Sequence, residues 1–274
     1  HPDIGGSRAS IANITAELLG IDVNRVSVLI GDTATIGFSN LTGGSRVLFA
    51  SALVVTESTN QVIDILKDRA SKIWNIDKEA IEWENGEARP AGDNAGKFKP
   101  LTLVELAEQA TPTGGPIGAG HQVNTVGAEG GFATHICDVE VDIELGIARV
   151  IRYTAAQDVG KAIHPAYVEG QLQGGVVQGI GWALNEEYIY NKEGKLDNPG
   201  FLDYRIPVFS DLPMIDTILV EVPNPQHPQG VRGVGEVPIV PPLSAIANAI
   251  YNAIGTRFYS LPMSPPKVLE KISD

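Results

Sequence analysis

Apolar residues recur along the chain with two periods, and the switches between them predict the elements. Over residues 7–20, Ile11, Ile14 and Leu18 share one helical face, and Gly20 stands where a left-handed residue ends a helix. Residues 25–30 (RVSVLI) alternate as a strand does, and Gly31-Asp32-Thr33 ends it. A loop through Thr42-Gly43-Gly44-Ser45-Arg46 leads into a long helix reaching Asn75, with Val54, Ile63, Leu66 and Ile73 among its apolar positions. Glu84-Asn85-Gly86-Glu87 predicts a hairpin turn. Residues 90–100 are polar and Gly-rich and read as loop, and 101–110 as a short helix.

Residues 111–127 hold five Gly and two Pro, the composition of a linker or long ordered loop. The boundary is placed there, giving domains 1–127 and 128–274. Beyond it, strands are expected over 133–143 and 147–155, a Gly-rich helix over 165–183, and strands over 186–190 and 215–222. Pro241-Pro242 opens a helix through Leu243, Ile246, Ile250 and Ile254 that stops at Gly255, and Ser264-Pro265-Pro266 starts a last short helix. The expected fold is α+β: two similar mixed units with Gly-rich loops at helix starts. Strands and helices do not alternate strictly, which argues against a doubly wound sheet.

Composition narrows the partners. The 274 residues carry 20 Lys and Arg against 33 Asp and Glu, a net charge of −13, and an acidic surface of that size repels nucleic acid and anionic membranes. Hydrophobic residues make up 43%, which suits a globular protein with real cores. No uninterrupted run approaches about 18 apolar residues, so no membrane span is expected. Cys137 is the one cysteine, which rules out an internal disulfide and suits a reducing compartment, the cytoplasm. The chain starts His1-Pro2-Asp3, with neither Met nor a signal pattern, and reads as a fragment or a processed chain.

Candidate chemistry concentrates in three Gly-rich segments. Ile4-Gly5-Gly6-Ser7-Arg8 and Thr42-Gly43-Gly44-Ser45-Arg46 each precede a helix, and Gly170-Gln171-Leu172-Gln173-Gly174-Gly175 lies early in another, after Asp158-Val159-Gly160. Glycine permits close backbone approach, helix N-termini present free N–H groups, and Ser and Arg add phosphate donors. Taken singly, such segments are more often plain turns. None is a Gly-x-Gly-x-x-Gly after a strand or a P-loop, so neither a Rossmann site nor a nucleotide-triphosphate site is supported. Glu236 ends Gly230-Val231-Arg232-Gly233-Val234-Gly235 inside an apolar run. It is either a general base or a carboxylate at a helix entry, and burial would raise its pKa towards neutrality. The five histidines show no i, i+4 pair, so a protein-ligated zinc site is not expected; His164 and Cys137 read as structural.

The order of these motifs resembles the C-terminal half of the molybdopterin-binding subunit of the xanthine dehydrogenase/aldehyde oxidoreductase family. It runs from the Gly-rich helix start through Gly-Asp-Thr (31–33), Thr-Gly-Gly-Ser-Arg (42–46), Asp-Val-Gly-x-x-Ile-His-Pro (158–165) and Glu-Gly-Gln (169–171) to Gly233-Val234-Gly235-Glu236 before a Pro-started helix. The resemblance covers nearly the whole chain. It implies molybdenum held by a pterin dithiolene rather than by a side chain, with the pterin as a cytosine dinucleotide. It implies that Glu236 deprotonates a Mo–OH group, that hydride passes to a sulfido ligand, and that water supplies the oxygen. It further implies cofactor contacts at Gly5, Gly6, Ser7, Arg8, Gly43, Gly44, Ser45, Arg46, Asp158, Gln171 and Gly235. Many family members carry Gly-Gln-Gly at the first loop, where this chain reads Ile4-Gly5-Gly6-Ser7. The implied substrate is an N-heterocycle or an aldehyde. The implied partners are the N-terminal half or a large molybdopterin subunit, an iron–sulfur subunit and an FAD subunit. The competing reading is a non-catalytic cofactor-binding or scaffold subunit of such a complex.

Overall fold

The computed structural model describes residues 6–34, 37–125 and 130–273. They form two compact units, His1–Ala128 with Asn224–Val231, and Glu129–Pro223 with Arg232–Asp274. The fold is α+β. The segment 224–231 belongs to the first unit although most of the second precedes it. Its His227 is buried, with Nε2 donating to the Phe49 carbonyl at 3.0 Å, and Gln229 Nε2 donates to Thr56 Oγ1 at 3.1 Å.

In the first unit, α1 (Ser7–Leu19) and the long α2 (Arg46–Trp74) accompany a small antiparallel sheet, β1 (Ile81–Glu84), β2 (Glu87–Pro90) and β3 (Leu101–Thr102), in the order β1-β2-β3. Leu66, Ala70 and Trp74 of α2 meet Ile81, Ala88 and Leu106 in one core. The hairpin turn forms where the sequence places it, with Asn85 and Gly86 at φ of 51° and 78°, the left-handed pair that a two-residue turn demands. Short α3 (Leu103–Glu108) starts with a capping box between Thr102 and Glu105, and α4 (Ala110–Thr113) follows. Gly20 ends α1 in the left-handed conformation, and a Cβ there would lie 2.7 Å from the Gly86 nitrogen. Trp83 Nε1 donates to the Leu19 carbonyl beside it at 3.0 Å. Gly20→Ala is therefore expected to lower stability by about 2–3 kcal/mol, since it meets both strain and a backbone clash. Urea unfolding of the variant checks this.

Two expected strands are absent as ladders. At 25–30, the Asp22 side chain caps the Asn24 N–H at 2.8 Å and sets a 3₁₀ turn, Val23–Arg25. The residues after it pair with no strand among the described residues. At 186–190, only Tyr190 bridges to Leu196. There the Asn198 amide takes the place of a ladder partner, accepting from the Ile189 N–H at 2.9 Å and donating to the Glu187 carbonyl at 2.6 Å.

In the second unit, β4 (Ala133–Asp142) and β5 (Ile147–Asp158) form an antiparallel pair, and β6 (Ile215–Val220) lies parallel to β5. A parallel neighbour requires a crossover, and α5 (Pro165–Leu184) supplies it. The helices α6 (Val240–Ile254) and α7 (Pro265–Ser273) follow. The core joins Val150, Tyr153, Ala155 and Ile215 of the sheet to Val176 and Ile180 of α5, Ile246 and Ile250 of α6, and Val268 of α7. Each fully buried aliphatic side chain contributes about 1.5–3 kcal/mol. The stretch Val237–Ile254 is long and apolar enough to cross a membrane by length and composition. Two of its side chains, Ile246 and Ile250, are nonetheless fully buried in this core.

His135 on β4 bonds through Nδ1 to the Tyr153 hydroxyl at 2.9 Å, and burial pushes its pKa down to about 4 from the usual 6.5. Below pH 6.5 the unfolded chain takes up a proton that the folded chain refuses. Stability should therefore fall as pH drops from about 6.5 to about 4, and level off below that. His135→Gln keeps the hydrogen-bonding capacity and removes the titration, so its unfolding curves should lack this contribution.

Candidate cofactor site

In the first unit Gly6 precedes α1 and the Gly-rich loop 42–45 precedes α2. Gly6 caps α1 in the left-handed region, φ 76°, with no side-chain cap, followed by buried Ser7 and exposed Arg8; Gly5 lies outside the described residues. Before α2, Gly44 and Ser45 are consecutively left-handed, at φ of 67° and 58°, and Ser45 stands at the N-cap of the 29-residue helix with no side-chain capping bond to it. A free first turn offers backbone N–H groups and the positive end of the helix dipole. Nothing lies within 4 Å of a Cβ built at Gly44, so the backbone there is open to a close ligand. Arg46 folds back on its own loop, with Nη1 donating to the Asn40 and Leu41 carbonyls at 3.3 and 3.4 Å.

In the second unit, the end of β5, the first turns of α5 and the 233–236 run gather around one small apolar cluster. Val159, Val168 and Leu172 are buried there, with Ala162, Leu219 and Val234 packed against them. Asp158 is buried. Its Oδ2 lies 3.1 Å from Arg232 Nε and its Oδ1 accepts the Gly160 N–H at 3.1 Å. The carboxylate therefore organises protein. Gln171, in the second turn of α5, is half-buried and its amide has no partner among the described residues. Beside it, Gly170 and Gly174 have nothing within 4 Å of a built Cβ. A close-lying, hydrogen-bonding group fits that surface.

Glu236 is exposed, and so is Gly235. The glutamate stands at the start of a 3₁₀ turn, Val237–Ile239, and makes no capping bond to it. Of the two sequence readings, burial is therefore not what the structure gives this carboxylate. Its apolar neighbours turn away from it: Val234 into the cluster and Pro238, buried, against α5. That contact needs glycine, because a Cβ at Gly175 would lie 2.7 Å from Pro238 Cβ, and one at Gly179 2.6 Å from Pro242 Cβ.

Other candidates read as structural. Burial pushes the Cys137 thiol up to about 11, far from a nucleophile's range. His164 stacks on Tyr167, ring centroids 4.0 Å apart, at the N-cap position of α5. Among the described residues no group of three or more His, Cys, Asp and Glu is placed to hold a metal. Two contributions escaped the sequence reading: Arg232 as partner of Asp158, and Gly175 with Gly179 as the bed for the segment after Glu236. A lone arginine in a glycine–valine run was the available signal for the first. The i, i+4 glycine pair was the signal for the second.

The molybdopterin cofactor-binding domain family matches residues 2–213. Over 175 residues, 62% of the chain, it is 37% identical to a putative xanthine dehydrogenase molybdenum-binding subunit of Escherichia coli (strain K12), of which it covers 23%. It is 27% identical to the carbon monoxide dehydrogenase large chain of Hydrogenophaga pseudoflava, over 98% of the chain and 34% of that protein. Among solved structures it superposes on quinoline 2-oxidoreductase from Pseudomonas putida 86 with a TM-score of 0.88 and 27% identity, over 100% of the chain and 36% of that one. The chain thus spans about a third or less of the length of these relatives.

Proposed function

The chain belongs to the molybdopterin cofactor-binding domain family, and on that premise we propose that it is part of a molybdenum hydroxylase that oxidises an N-heterocycle or an aldehyde with water as the oxygen source. The molybdenum–pterin group, as a cytosine dinucleotide, supplies the two-electron chemistry when bound. The chain's own residues hold and assist it. Gly6, Ser7, Arg8 and Gly43, Gly44, Ser45, Arg46 present helix N-termini and donors to its phosphates. Gln171 offers its unpaired amide, and Asp158 shapes the neighbouring turn. Glu236 would accept, at its carboxylate, the proton given up when the water-derived oxygen is activated for attack. The domains 1–127 and 128–274 are read as the two subdomains of this binding region, with the segment 224–231 belonging to the first. The rest of the large subunit completes the pocket. Iron–sulfur and FAD subunits carry the electrons away, and the complex works in the cytoplasm.

The observation that carries this reading is an exposed glutamate held at the end of a Gly-Val-Gly run, around the same cluster as an open glycine surface and a free glutamine amide. The residues present fit a phosphate-bearing pterin. Metal and pterin analysis of the freshly purified, active complex tests it: molybdenum and a pterin are expected, and finding neither overturns the assignment. One sequence feature favours the non-catalytic alternative, the absent first-loop glutamine. A complex that carries the pterin but turns over no heterocycle or aldehyde would decide for it.

A further inference from the structure

We propose that Arg232 is a positioning residue that, through its buried pair with Asp158, fixes the run 233–236 and hence the place of the Glu236 carboxylate. The proposal rests on the reading of Glu236 as the base.

Gly233 and Gly235 have no side chains and a wide choice of backbone angles. Anchors on either side of the run therefore restrict where it lies. Downstream, Pro238 lies against Gly175 of α5. Upstream, four ties of Arg232 among the described residues lie within the second unit. Its Nε faces Asp158 Oδ2 at 3.1 Å and the Val222 carbonyl at 3.4 Å. Its Nη1 donates to the Gly130 carbonyl at 3.1 Å, and its backbone N–H to the Val159 carbonyl at 3.4 Å. The two side chains are only 11% and 8% exposed, so solvent screens the pair little. Asp158 is in turn held by the Gly160 N–H, and the Val159 N–H donates to the Val220 carbonyl at 3.0 Å. The guanidinium thus pins the run to the ends of both β5 and β6. An ammonium could keep the charge but not a planar fork that reaches a carboxylate and two carbonyls at once.

The test is amide hydrogen exchange on the purified complex, which reads the run whether or not molybdenum is loaded. Arg232→Lys is expected to speed exchange at residues 233–237 by about 10-fold or more while protection in β4, α5 and α6 is unaltered. Turnover should fall about 10-fold with KM within about 2-fold, since misplacing a reacting group weighs on the chemical step. If the lysine variant does not assemble, Asp158→Asn is read in its place, with the same local rise expected. Exchange unaltered at 233–237, or a rise spread evenly over β5 and α5, overturns the proposal. The two ideas fail separately. Glu236→Gln with unchanged turnover refutes the base and leaves the exchange result standing, whereas an unaltered run refutes the clamp whatever Glu236 does.

Discussion

A Glu236→Gln enzyme is expected to keep its molybdenum and pterin and to lose at least about 100-fold in turnover, the scale set by removing a general base. The substitution is close to isosteric. The glutamate makes no capping bond to the 3₁₀ turn, so the substitution takes no cap from it. The capacity to accept a proton disappears with the carboxylate. A loss through folding would show as reduced metal content, and a loss through substrate binding as a raised KM with kcat preserved. The expected signature is a kcat loss at constant metal. Turnover within about 3-fold of the parent would remove Glu236 from the mechanism, since general-base contributions are far larger than that.

Much of the fold was legible because local signals and tertiary structure agree. The Asn85-Gly86 turn, the Gly20 and Gly255 helix ends and the Pro-started α5, α6 and α7 all form where residue chemistry puts them. These positions are fixed by backbone conformations that few residues adopt. The failures share a cause. Residues 25–30 and 186–190 alternate like strands, but alternation says nothing about a partner. In the first segment Asp22 diverts the chain into a 3₁₀ turn, and in the second Asn198 takes the backbone bonds a neighbour would have made.

The site was legible in a different way. Motif order pointed to Asp158, Gln171 and Glu236, and the fold places their segments around one cluster. Their individual roles were less accessible. Asp158 could be read as a ligand contact, yet its carboxylate is taken by Arg232 and Gly160, a pairing across 74 positions of sequence that no local pattern announces. Glu236 could be read as buried from its apolar neighbours, but those side chains turn into the protein and leave the carboxylate out.

The bed beneath Glu236 gives the second large effect. Gly175 and Gly179 sit inside a helix, where each is about 1 kcal/mol worse than alanine on propensity alone. If propensity ruled, the double variant Gly175→Ala/Gly179→Ala would stabilise the protein. The packing predicts the reverse. The added methyls would stand 2.7 Å from Pro238 Cβ and 2.6 Å from Pro242 Cβ, with the Ile239 carbonyl 3.1 Å from the second. Proline rings have no rotamer by which to retreat, so the segment must lift off α5. Each substitution is expected to cost about 1–3 kcal/mol net, and the pair about 2–6 kcal/mol. Gly174→Ala, one residue away with nothing within 4 Å, should instead stabilise by up to about 1 kcal/mol. Thermal unfolding of the three proteins decides between the two accounts, since the predicted signs are opposite. The double variant carries a functional consequence too. Pro238 follows Glu236 by two residues, so lifting it shifts the carboxylate, and turnover should fall together with stability. A destabilised double variant with full turnover would show that the α5 contact supports the fold without placing Glu236.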